Sequence, residues 1–245
     1  MTLRLFSVVT VPTRFGCCHE RISVTHMNNS HDARLTEAVN RIKKNDQRLA
    51  VIIDRIGPCV LKYSTCGFSA LVHSIIGQQL SKDAARAIRR RVTTLFGNGV
   101  VNPEELEMMG DDQLRGAGLS LMKIRYLRDL SGRILTGKID LQELESMDDE
   151  AVITTLSQVR GIGRWTAEMY LMFSLKRPDI FPLDDAAIRT AMIRIYDLPE
   201  ADFKIVAPKI AERWQPFRSI ACWYLYTFLD LPLPVALHPV KPSSV

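Results

Sequence analysis

No apolar run in this 245-residue sequence is long enough to cross a bilayer, which excludes a transmembrane helix. Cysteine is scarce and odd in number: Cys17, Cys18, Cys59, Cys66 and Cys222 are too few and too scattered for a secreted disulfide framework, and suit a reducing compartment. Cys59 and Cys66 have no close third and fourth partner, so an iron–sulfur cluster has no ligand set. The histidines His19, His26, His31, His73 and His238 form no HExxH or CxxC-type constellation, which argues against a catalytic metal. Strand-like alternation is nearly absent after the first 27 residues.

What remains is an ordinary composition, 47% hydrophobic and 24% charged, in a chain long enough to bury a real core. The net charge of +5 leans toward a polyanionic partner without identifying one. Residues 1–29 read as a loose extension with Met27 as an alternative start, and 236–245 as a loose, proline-rich tail. Between them, over 30–235, apolar residues recur at spacings of three and four. This pattern predicts helices over 32–44, 46–56, 67–77, 82–96, 103–109, 120–136, 140–146, 148–158, 164–175, 185–197, 203–214 and 217–230. The expected fold class is all-α, built of short helices.

Three segments carry chemistry. In LSQVRGIGRWTAEMYL (156–171), a helix ends near Gln158, Gly161-Ile162-Gly163 turns, and a second helix opens at Arg164. Two glycines let the backbone turn sharply and approach a ligand, and the free N–H groups of the new helix attract an anion such as a phosphate. Arg160 and Arg164 would add positive charge. Taken alone, the GxG is better explained by a plain helix–turn–helix corner without a ligand. In FPLDDAAIR (181–189), an acidic pair opens a helix after Pro182. Asp184 reads as an N-cap and Asp185 as a first-turn carboxylate, yet capping needs one carboxylate and there are two. The third segment is the helix 82–96, whose Lys82, Arg86, Arg89, Arg90 and Arg91 would follow a phosphate backbone or simply face solvent.

Taken together, the hairpin and the aspartate that follows it resemble the helix-hairpin-helix superfamily of DNA glycosylases. ALVHSIIGQQLS (70–81), Gly118-Leu119-Ser120 with Lys123 and Tyr126, and RWQPFRS (213–219) extend the likeness in the same order over residues 30–230. The words GIGRWTAEM, FPLDD and RWQPFRS are most similar to the alkylation-repair branch, DNA-3-methyladenine glycosylase II.

The resemblance implies two helical subdomains with the active-site cleft between them, and double-stranded DNA containing damaged bases as partner. Gln78, Gln79, Leu80 and Ser81 would enter the minor groove, with Leu80 or Gln79 as wedge. Arg160, Gly161, Ile162, Gly163, Arg164 and Thr166 would hold the phosphate. Trp165, Tyr226 and Met169 would line the pocket for the flipped base, with Tyr170 and Trp223 as weaker candidates, while Trp214 and Trp223 read better as core residues. Asp185 would stabilise an oxocarbenium ion or orient the attacking water.

Bifunctional members carry a lysine two residues after the second glycine of the hairpin. Trp165 stands there instead, which implies a glycosylase without lyase activity. No cofactor is expected, apart from a structural monovalent cation on the Ser157, Val159 and Ile162 carbonyls. The likeness further implies a monomer in the bacterial cytoplasm and nucleoid, or in a eukaryotic nucleus, and not a secreted protein. Two other readings stay open at this point: a glycosylase for oxidised or deaminated bases, and a non-catalytic module that binds DNA structure.

Overall fold

Polar caps set where the helices start. The side chains of Asp46, Ser81, Asn102, Ser120, Asp148 and Asp185 each accept a backbone N–H two or three residues ahead, satisfying first-turn donors that have no intrahelical partner. The computed structural model describes residues 29–61, 63 and 67–231. The expected extension (Asn29 apart) and the expected tail lie outside the described residues.

In chain order the helices are α1 (Asn29–Asn45), α2 (Gln47–Ile56), α3 (Gly67–Gly77), α4 (Lys82–Thr93), α5 (Pro103–Met108), α6 (Asp111–Gly116) and α7 (Leu121–Leu135). They continue as α8 (Glu143–Ser146), α9 (Asp149–Ser157), α10 (Arg164–Phe173), α11 (Ala186–Tyr196), α12 (Phe203–Ala211) and α13 (Arg218–Leu229). Short 3-10 turns lie at Glu200–Asp202 and Glu212–Trp214. Among the described residues there is no strand, as the periodicity predicts. The sequence reading overlooks α6, and it runs several helices a few residues too far.

Two groups of helices share one apolar core. Helices α1, α2, α11, α12 and α13 pack on one another, so the two ends of the described chain meet in one subdomain. Helices α3 to α7 with α9 and α10 form the other. At the centre of the first group, α13 is buried on every face from Ser219 to Phe228, as expected of a helix surrounded by others.

The segment leading into α11 is fixed from several sides. Arg218 forms a two-pronged salt bridge with Asp179, the Ser219 hydroxyl joins the Arg177 carbonyl to the Ile180 N–H, and Phe181 packs edge-on against Trp214. These contacts give RWQPFRS its structural work: it anchors the stretch that presents Asp185.

Candidate active site

The hairpin joins α9 to α10. Its turn is closed by the Ile162 N–H on the Val159 carbonyl at 3.0 Å and by the Arg160 N–H on the Asp129 carboxylate at 2.8 Å. Gly161 has φ +81°, and a Cβ there would lie 2.2 Å from the ring of Tyr126, so only glycine fits. Gly163 differs from the expectation that both glycines serve the turn. Its φ is −96° and, among the described residues, a Cβ would meet nothing within 4 Å, so what it provides is open space. As the N-cap of α10 it brings no side-chain acceptor, which leaves the first-turn N–H groups facing outward for an anion.

Arg164, expected to add positive charge at the hairpin, is ion-paired within the protein. Its guanidinium is bound by Glu150 through Nη1 and Nη2, and by Glu168 through Nε at 3.1 Å. Arg160 is exposed, whereas Ile162 and Thr166 are only 3% exposed, so Ile162 has little but backbone to offer a partner. Glu168 is itself buried, and burial raises its pKa to about 7 against the pull of Arg164.

The loop after α3 is tied to the hairpin. Gln78 donates through Nε2 to the Gly161 carbonyl at 2.7 Å and to the Thr166 hydroxyl at 3.4 Å. Lys123 closes the end of α3 by donating to the Ile76 and Gln78 carbonyls at 2.6 and 2.9 Å. Of the loop residues expected to enter DNA, Gln79 (φ +57°) and Leu80 are exposed, while the Ser81 hydroxyl caps α4. Several cations of α4 are used inside the protein: Arg89 donates to the His73 carbonyl, Arg91 to the Ala117 carbonyl, and Lys82 pairs with Asp230, just past the end of α13.

Asp185 is the N-cap of α11, which corrects the expectation that Asp184 caps. Its Oδ1 accepts the Ala187 and Ile188 N–H groups at 2.7 and 2.9 Å. Its Oδ2 accepts the Trp165 indole N–H at 2.6 Å and the Tyr226 hydroxyl at 3.1 Å. Asp184 is exposed and bonded to Lys204. Met169 does not line the cleft and leaves the expected base pocket: it lies one helical turn deeper than Trp165, 3% exposed, with its sulfur 3.8 Å from the Tyr226 hydroxyl. Tyr170, Trp214 and Trp223 are buried in the core.

These elements enclose a cleft of about 710 Å³ between the two helical groups. From one side come the Gln78–Leu80 loop, Arg86, Tyr126, Gly161, Gly163, Trp165 and Thr166; from the other come Asp185 and Tyr226. A carboxylate thus sits at the base of a space with aromatic walls and a basic rim. Lys123, whose ammonium is pushed toward neutrality by burial and by Arg89, lies outside this lining. The sequence reading missed Asp46, Asp129, Glu150 and Glu168; the distant partners of the first three are brought close only by folding, whereas Glu168 stands one helical turn after Arg164, a spacing legible in the sequence.

The chain matches the HhH-GPD superfamily of base excision DNA repair proteins over residues 72–216. It is similar to DNA-3-methyladenine glycosylase 1 of Schizosaccharomyces pombe, 34% identical over 205 residues that cover 83% of this chain and 89% of that protein. The solved structure of a DNA-3-methyladenine glycosidase from Bacillus halodurans superposes with a TM-score of 0.70 at 38% identity, covering 77% of this chain and 87% of that one. An S. pombe 3-methyladenine DNA glycosylase in complex with abasic DNA superposes with a TM-score of 0.72 at 32% identity, covering 80% of this chain and 97% of that one. The hairpin, the cleft and the match across most of the chain lead to one conclusion: the protein belongs to the HhH-GPD superfamily of base excision DNA repair proteins.

Proposed function

We propose that this protein is a monofunctional DNA glycosylase that removes alkylated purines from double-stranded DNA by hydrolysing the N-glycosidic bond. The observation that carries the reading is Asp185: 5% exposed, at the base of the cleft, with both carboxylate oxygens fixed by four donors. The names of its relatives agree on the substrate class. A target base must leave the stack to reach this depth, at a cost of about a few kcal/mol. The exposed Gln79 and Leu80 are suited to fill the gap it leaves, and the Gly163 end of α10 to hold a backbone phosphate.

A purine alkylated at N3 or N7 carries positive charge. Trp165, 37% exposed and lining the cleft, offers it an electron-rich face worth roughly 0.5–2 kcal/mol. When the C1′–N bond breaks, its electron pair neutralises the departing base, so no general acid is required. The Asp185 carboxylate faces the cation left on the sugar. Water then adds to C1′ and loses a proton, giving an abasic site.

No lysine lies between Gln158 and Leu175 to form a Schiff base, and Lys82 is engaged by Asp230. A monovalent cation on the hairpin fits the same reading: among the described residues none donates a backbone hydrogen bond to the Ser157 or Ile162 carbonyl, which leaves lone pairs for it. The reading also implies a monomer acting on genomic DNA, in a nucleoid or a nucleus.

The test is release of free base from methylated duplex DNA by wild type and by Asp185→Asn, with borohydride trapping alongside. Free methylpurine from wild type alone, and no trapped adduct, are expected. Release by Asp185→Asn at the wild-type rate would sink the assignment, and a trapped adduct would restore the lyase. Release of oxidised or deaminated bases in place of methylpurines would move the specificity elsewhere in the superfamily.

A further inference from the structure

We infer that Tyr226 is a positioning residue, which acts on the reaction through Asp185 rather than as a wall for the flipped base; this rests on the reading of Asp185 as the catalytic carboxylate. The two oxygens of Asp185 are held in different ways. Oδ1 belongs to the helix, bonded to the Ala187 and Ile188 N–H groups at 2.7 and 2.9 Å. Among the described residues, Oδ2 is bonded only by side chains, the Trp165 indole at 2.6 Å and the Tyr226 hydroxyl at 3.1 Å. The last torsion of an aspartate is broad, so these two donors set how the carboxylate plane meets the cleft.

The two donors are not equivalent. Trp165 is 37% exposed and lies on the hairpin, where a base and its sugar would touch it. Tyr226 is 5% exposed, in the buried run of α13, and Met169 packs at its hydroxyl. It is therefore the donor least displaced when the cleft fills. Its ring has little free surface to stack on a base, while its hydroxyl already meets the oxygen that would face the sugar. A carboxylate that loses this contact keeps its cap and its charge but swings about the remaining donors. Misplacement of a catalytic group by about 1 Å can cost on the order of a hundredfold in rate.

The experiment is single-turnover base release by the full chain from duplexes carrying 7-methylguanine, hypoxanthine or ethenoadenine, with binding measured on a duplex containing an abasic analogue. Tyr226→Phe should lower the rate by roughly ten- to a hundredfold. The factor should be the same for every base released, with abasic-DNA affinity unchanged. In an Asp185→Ala background, Tyr226→Phe should produce no further loss. Tyr226→Trp, which restores a donor, should recover part of the rate and serves if the Phe variant does not fold. An undiminished rate in Tyr226→Phe beside an inactive Asp185→Asn would overturn this inference alone. A loss that varies with the base, or that appears as weaker binding, would return Tyr226 to the pocket wall. Full activity of Asp185→Asn would instead remove the reading on which it rests.

Discussion

Asp46 and Asp185 are held by the same kinds of donor. Each caps a helix with Oδ1, and each offers Oδ2 to one tryptophan N–H and one tyrosine hydroxyl: Trp214 at 2.9 Å and Tyr196 at 2.7 Å for Asp46, Trp165 at 2.6 Å and Tyr226 at 3.1 Å for Asp185. What differs is the surroundings. Trp214 is fully buried, whereas Trp165 is 37% exposed on the cleft. One arrangement staples α2 to α11 and the turn at Trp214; the other presents a fixed charge to a space large enough for a nucleotide.

That difference predicts opposite phenotypes. Asp46→Ala strands a buried hydroxyl and a buried indole N–H in addition to losing a cap, and should destabilise by about 3 kcal/mol while the folded protein stays active. Asp185→Ala loses a cap of about 1 kcal/mol, but water can reach the orphaned donors through the cleft. It should be far closer to wild type in urea and inactive in base release. Equal losses of stability in the two variants would show that the cleft around Asp185 is as dry as the core.

The two hairpin glycines should also separate. Gly161→Ala meets both a positive φ and the Tyr126 ring, so it should displace the turn, lower the Tm and weaken DNA binding together. Gly163→Ala has room in the free protein and should leave the Tm within a degree or two. If a phosphate sits over the start of α10, the added methyl group should still weaken binding of abasic DNA by about tenfold, the scale of one lost charge-assisted contact. Unchanged binding by Gly163→Ala would move the phosphate away from this helix end.

The sequence spoke clearly where the information is local. Helical spacing placed every helix but α6, which buries Leu114 alone and lacks the cap signal that α5, equally short, has in Asn102 and Pro103. The GIG turn and the aspartate pair were visible as motifs. Which aspartate caps was not visible, because both satisfy the same local preference. The choice is made by Trp165 and Tyr226, 20 and 41 residues away from Asp185. The pairing of Arg164 with Glu150 was hidden for the same reason, since Glu150 lies 14 residues upstream on the far side of the hairpin, whereas Glu168, one turn further along α10, was within local reach.

That ion pair gives a further expectation. In the free protein Glu150 occupies the guanidinium beside the open end of α10, so a DNA phosphate must compete with it. Glu150→Gln should tighten binding to undamaged duplex by about two- to fivefold, the scale of an exposed pair. It should also steepen the log–log dependence on salt by about one. Combined with Arg164→Ala, the substitution should do neither. A gain that persists in the double variant would mean that Glu150 acts by general repulsion and not through Arg164.

The buried Glu168 and the half-buried His73 should make stability depend on pH in opposite directions. Burial raises Glu168 from its ordinary 4.5 to about 7. Between those values the folded protein holds a proton that the unfolded chain releases, so this contribution to stability falls as pH rises. Burial and the nearby Arg89 lower His73 from 6.5 to about 4. There the unfolded chain holds the extra proton, so this contribution falls as pH drops. From pH 4.5 to 6.5 the two slopes, each at most about 1.4 kcal/mol per pH unit, oppose one another. Glu168→Gln should therefore unmask the histidine: its urea midpoint, relative to wild type, should rise from pH 4.5 to 6.5. His73→Asn should show the reverse, losing stability relative to wild type as pH rises over the same range. Parallel pH profiles for wild type and Glu168→Gln would mean that Glu168 stays ionised beside Arg164 throughout, and that this pair is stronger than the burial around it.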